Sequence, residues 1–74
     1  MISIDNGQIW KNNEHFAKVE MKLAPNSRHF LFRVVVFTHR LDFVKVTTWV
    51  KKQMLERYLK NEDYEETNYK FDMH

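Results

Sequence analysis

Seventy-four residues, 43% of them hydrophobic and 15% aromatic, suffice for one small folded domain and are too few for two. Lys and Arg number 12 against 10 Asp and Glu, and the net charge of +2 is small for a protein that holds nucleic acid by charge alone. No apolar run reaches the roughly 18 residues of a membrane span, and the absence of cysteine excludes disulfides and thiolate metal sites. The start, Met1-Ile2-Ser3-Ile4-Asp5-Asn6-Gly7, lacks the basic and apolar regions of a signal peptide. Together with the missing thiols, this points to the cytoplasm. So short a chain buries only about 60% of its unfolded surface. Its six Phe, two Trp and four Met therefore either fill a marginal core or leave part of themselves as a docking surface.

In chain order, Asn6-Gly7 lies between Ile2–Asp5 and Gln8–Lys11, the pattern of a short hairpin closed by a type I′ turn. Asn12-Asn13 marks a second turn. From Ala17 to Leu23 apolar and polar residues alternate, which predicts a strand with one buried face. Ala24-Pro25-Asn26-Ser27 is the following turn, with Pro25 at its second position. Arg28–Thr38 is the next strand, with Phe30, Phe32, Val34 and Val36 on one parity. Pairing Leu23 with Arg28 sets Met21 against Phe30 and Val19 against Phe32, so the apolar faces coincide.

Leu41–Thr48 has the β-branched content of a strand, yet it runs without a breaker into the helical pattern of Trp49–Lys60. Phe43, Val46, Val50, Met54 and Tyr58 share about one third of a helical wheel. A long helix is therefore expected from Leu41 or Asp42, capped by Thr38 or Asp42 and stopping near Asn61, with 41–47 as the stretch that could extend the sheet instead. Residues 61–74 hold five acids against one lysine, a net −4 that leaves +6 for residues 1–60. An acidic loop and a closing strand around Tyr69, Phe71 and Met73 complete the expectation. The whole is a single α+β domain over residues 1–74: a small antiparallel β-sheet with one long helix packed on one face.

The chemistry legible in the chain is mostly subtractive. One glycine cannot build a phosphate-cradling loop, and neither Ser3 nor Ser27 stands in a nucleophile-elbow motif. His15, His29, His39 and His74 have no ligand-pair spacing, so no metal or cofactor is expected. The expectation is a protein that is not an enzyme. Glu62, Asp63, Glu65 and Glu66 read as a solvated acidic run, which could screen the basic body or present a phosphate-like patch to a partner.

The outward parity of the central hairpin mixes cations with large apolar groups. In the register above, Lys18 faces Arg33, Lys22 faces His29 and Phe16 faces Val35. Like charges set opposite each other are destabilising unless something compensates. Either another segment covers this face, or it binds an acidic partner through Phe16, Lys18, Lys22, His29, Arg33 and Val35. Nucleic acid is the alternative ligand for the same face, although the glycine-bearing aromatic pattern of an RNA-recognition strand is missing. A structural subunit of a small oligomer is the third reading.

The order Phe16–Leu23, Arg28–Thr38, a helix opening at Leu41-Asp42 and containing Trp49, then Asn68–Phe71 resembles that of small bacteriophage host-takeover proteins. The resemblance is one of layout and covers about three quarters of the chain. It implies a stoichiometric viral inhibitor that binds a host protein, such as a nucleic-acid-processing enzyme or a defence complex, in the host cytoplasm.

Overall fold

A computed structural model describes residues 4–67. Strands β1 (Ile9–Lys11), β2 (His15–Leu23), β3 (Phe30–Thr38) and β4 (Phe43–Val46) precede helix α1 (Lys52–Asn61) and strand β5 (Glu65–Glu66). They form one antiparallel five-stranded sheet in the order β4-β3-β2-β1-β5, with α1 on one face. The α+β architecture expected from the sequence is therefore present, but the helix has only ten residues.

The alternation of β2 and β3 places Ala17, Val19, Phe32, Val34 and Val36 on the helix side, where Leu55 and Leu59 of α1 close over them. Ile4, Trp10 and Tyr64 complete this core, and Met21, Val50 and Tyr58 pack against it. Leu55 and Leu59, four residues apart and each 1% exposed, form the buried stripe. The expected stripe through Met54 and Tyr58 is out of phase by one residue, and Met54 is largely exposed.

Two corrections concern segment 41–51. Residues 43–46 pair with β3 as a strand, and Val50 bridges Phe32 through two backbone hydrogen bonds of 2.7 and 2.8 Å. The β-branched run Val44, Val46, Thr47, Thr48 and Val50 loses less side-chain freedom in an extended ladder than against a helical turn, and that preference prevails. Thr38 caps a turn rather than a helix: its Oγ1 accepts from the amides of Arg40 and Asp42, and Leu41 sits at φ 69°. Asp42 contributes its carbonyl to the ladder, accepting from Thr38 N at 2.9 Å. The residue at the helix N-cap is Lys51, in extended conformation and with no side-chain cap.

A third correction is the hairpin register. Leu23 pairs with Phe30 and Val19 with Val34, two residues beyond the expected alignment, because the connection runs from Ala24 to His29. Within it Ser27 N donates to Ala24 O, with Pro25 at the second position and Asn26 at φ 58°, the pattern of a type II turn. Of the two expected turn residues, Asn6 and Gly7, only Gly7 (φ 83°) has positive φ, whereas a type I′ turn needs two such residues. β1 pairs with β2 and β5 instead of with a preceding strand. The closing strand expected at 69–73 lies outside the described residues, while Glu65–Glu66, expected in a loop, pair with β1.

Candidate open sheet face

The face turned away from α1 carries the odd-numbered residues of β3 and the even-numbered residues of β2. Ile9 and Phe16 are buried there, apart from the core on the helix side. Phe16 is screened by its neighbours: the His39 ring lies 5.2 Å from it and the Lys11 ammonium 5.7 Å from its centroid.

The true register changes the electrostatics. Arg33 faces Glu20, and its Nε donates to Glu20 Oε1 at 2.7 Å. Lys18 faces Val35 on one side and Ile9 on the other, Lys22 faces Leu31, and Phe16 faces Phe37. The expected opposition of Lys18 to Arg33 does not occur. An ion pair whose side chains are each about one third exposed is worth about 0–1 kcal/mol, so it removes a repulsion without anchoring the fold. Five of the six expected contact residues (Phe16, Lys18, Lys22, Arg33, Val35) do share this face. His29 lies in the turn before β3, exposed, at the end of the hairpin.

Several residues of the face were not anticipated. Trp49 follows β4, and its ring lies beneath Lys22 Nζ at 4.5 Å and Arg33 Cζ at 4.3 Å, a paired cation–π contact. Phe43 meets Phe37 edge-on at 6.5 Å, and Val46 lies opposite Val35. Phe43 is 63% exposed and Val46 44%. An apolar patch of Val35, Phe37, Phe43 and Val46 thus lies beside Lys18, Lys22 and Arg33. The signal that could have found it was the β-branched run, had it been read as a strand continuing this parity.

The acidic run does not form one patch. Glu62 is the helix C-cap and Asp63 adopts φ 56° to end the helix. Glu65 pairs with Lys11 and Glu66 with Trp10, so the two carboxylates point to opposite faces. A polar recess of about 260 Å³ beside the helix end is lined by Asn12, His15, Lys45, Tyr58, Glu62 and Tyr64, among others. Tyr58 and Tyr64 stack there at 6.2 Å. Burial, followed by its Tyr58 and Glu62 neighbours, pushes the Tyr64 hydroxyl well above the ordinary tyrosine range. Among the described residues no three His, Asp or Glu side chains converge as metal ligands. Compared with protein-family models, with curated proteins and with solved structures, the chain matches none.

Proposed function

We propose that the protein is a non-catalytic binding module that docks an acidic protein partner on the open face of its sheet. The observation that carries this reading is the exposure of Phe43 and Val46 beside half-buried Val35 and Phe37, with cations at their border. A rimmed apolar patch of this kind is the usual anatomy of a protein interface: an apolar centre excludes water, and flanking charges set orientation and encounter rate. Lys18 and Lys22 supply the charge, while Arg33 is partly neutralised by Glu20. Of the layout that resembles phage host-takeover proteins the central hairpin is kept and the helix opening at Leu41 is not; a host enzyme or defence complex, inhibited stoichiometrically, is proposed as the partner on that sequence resemblance alone. On the same reading, the protein works in the host cytoplasm.

Nucleic acid fits this face less well. The Trp49 ring that would stack a base is already engaged by Lys22 and Arg33, and Glu20 sits among the cations. The test is affinity capture from host lysate, identification of the partner by mass spectrometry, and titration of the purified partner by calorimetry. Phe43→Asp with Val46→Asp should weaken binding about thirtyfold or more, as loss of an interface anchor does. Lys18→Glu should slow association chiefly. Unchanged affinity in the first variant, with an unchanged melting profile, would remove this face from consideration. Self-association of the parent through the same patch, seen by sedimentation and lost in that variant, would replace a foreign partner with a second copy.

A further inference from the structure

At the far end of the β2–β3 hairpin the helix stops short of covering the sheet. α1 begins at Lys52, and Phe30, although on the core-facing parity, stays 49% exposed. Its cross-strand partner Leu23 is exposed as well. A cleft of about 470 Å³ opens here between the hairpin connection and the helix start, lined by Arg28, His29, Phe30, Lys51, Lys52 and Gln53, with Phe32 at its floor. That volume lies in the range of small-ligand sites.

The charge of the cleft is one-sided. Arg28, Lys51 and Lys52 are permanent cations, His29 is a fourth basic group, and no carboxylate lines the walls. None of the three cations is in an ion pair among the described residues, and no acid stands in the first helical turn. Folding alone gives no reason to converge like charges, since each repels the others and none gains a partner. An anion relieves all of them together. The exposed Phe30 ring narrows the class of anion, because cations set around an aromatic face match a phosphate ester that carries an aromatic base. An aromatic ring among the cations favours a phosphate ester that carries a base over a lipid headgroup, and stacking on Phe30 needs a base free of its duplex partner.

We infer that this cleft binds single-stranded nucleic acid, with one base against Phe30 and the flanking phosphates on Arg28, Lys51 and Lys52. The site is separate from the open sheet face and does not depend on what docks there.

The experiment is fluorescence anisotropy with a short labelled oligothymidylate across a salt series, using the full chain. Binding should weaken log-linearly with salt, and Lys51→Gln with Lys52→Gln should lower the slope by about 1.4, at about 0.7 per lost phosphate contact. Phe30→Ala should weaken binding about tenfold, and an abasic strand of equal length should lose as much on the parent. The side chains of Lys51 and Lys52 are exposed, so their variant should keep the parental melting profile, while Phe30, half covered, should still fold as Ala but melt somewhat lower. Lys18→Glu with Arg33→Glu, on the open face, should bind the strand like the parent. The inference is overturned if the parent does not bind at low salt, or if the abasic strand binds equally well. It is overturned too if phosphatidylserine vesicles bind while the strand does not, or if the open-face variant loses the strand while the Lys51/Lys52 variant keeps it.

Discussion

Asn12 ties three parts of the chain together. Its Oδ1 accepts from the amides of Glu14 and His15 at 2.8 and 2.7 Å, shaping the β1–β2 turn. Its Nδ2 donates to the carbonyl of Glu62 at 2.8 Å, and its own carbonyl lies 3.1 Å from His39 Nε2. Asn12→Ala removes three hydrogen bonds whose backbone partners are mostly open to water, and should cost about 1 kcal/mol. At about 4–8 °C per kcal/mol in a domain of this size, calorimetry should show the loss plainly. Asn12→Asp keeps the acceptor but not the donor, and should fall between. Tyr64 gives a second residue-scale prediction. Its hydroxyl ionises at about 10 in the unfolded chain and higher in the fold. Its contribution to stability is therefore fully present below about pH 10 and is lost as pH rises towards the folded value. Urea titrations along an alkaline series should show this loss, and Tyr64→Phe should flatten it. Parallel curves for the two proteins would show that Tyr64 is not its source.

At the scale of elements, parity was legible and register was not. Period-two alternation in Ala17–Leu23 and Phe30–Val36 survives any shift by two residues, so the apolar pattern alone accepts both alignments. Charge could have chosen between them: only the observed one sets Arg33 against Glu20 instead of Lys18. The helix was misread because a wheel drawn from residue 43 finds an apolar sector in what is a β-branched strand. Of the expected contact residues, the five on strand positions kept their common face because parity fixes it. His29 did not, since a turn has no parity. Trp49, Phe43 and Val46 were missed together with the strand that positions them. Lys51 at the N-cap breaks the ordinary preference for Ser, Thr, Asp or Asn there. Lys51→Asp should cap α1 and raise the melting temperature by about 4–8 °C, from about 1 kcal/mol of capping. The same change should weaken oligothymidylate binding, because it puts an anion where a phosphate sits. A variant both more stable and poorer at binding is the signature of a cap given up for a ligand. If stability rises and binding holds, Lys51 is not a phosphate contact.

At the scale of the whole molecule, among the described residues the helix covers only part of one sheet face and two distinct surfaces are left. One is the flat side, apolar at β3–β4 and cationic toward β2. The other is the notch at the hairpin end, bounded by Arg28, Lys51 and Lys52. Their side chains do not overlap, so the two double-charge variants should act independently and their effects should add. Leu41 also stands out at this scale, exposed and at φ 69°, a conformation that costs a branched residue about 1–2 kcal/mol. Leu41→Gly relieves the strain and should stabilise the fold by up to about 1 kcal/mol, once the added freedom of the unfolded chain is counted. If the same variant weakens partner capture, the docking surface reaches past Phe43 to the turn.

The shift in the β3–β4 ladder has a consequence for behaviour at high concentration. Val36 pairs with Lys45 and Phe37 with Phe43, which leaves Val44 without a partner, a bulge in the edge strand. An edge bearing Phe43, Val44 and Val46 is a template for another chain's backbone, and regular edges of that composition seed fibrils. The bulge kinks the strand and breaks the spacing a second chain would need to zip alongside. Deleting Val44 would make the ladder regular while leaving Lys45 and Phe43 on the faces they now occupy. The expected result is a chain that folds, then elongates edge to edge, with thioflavin fluorescence rising over time where the parent stays flat.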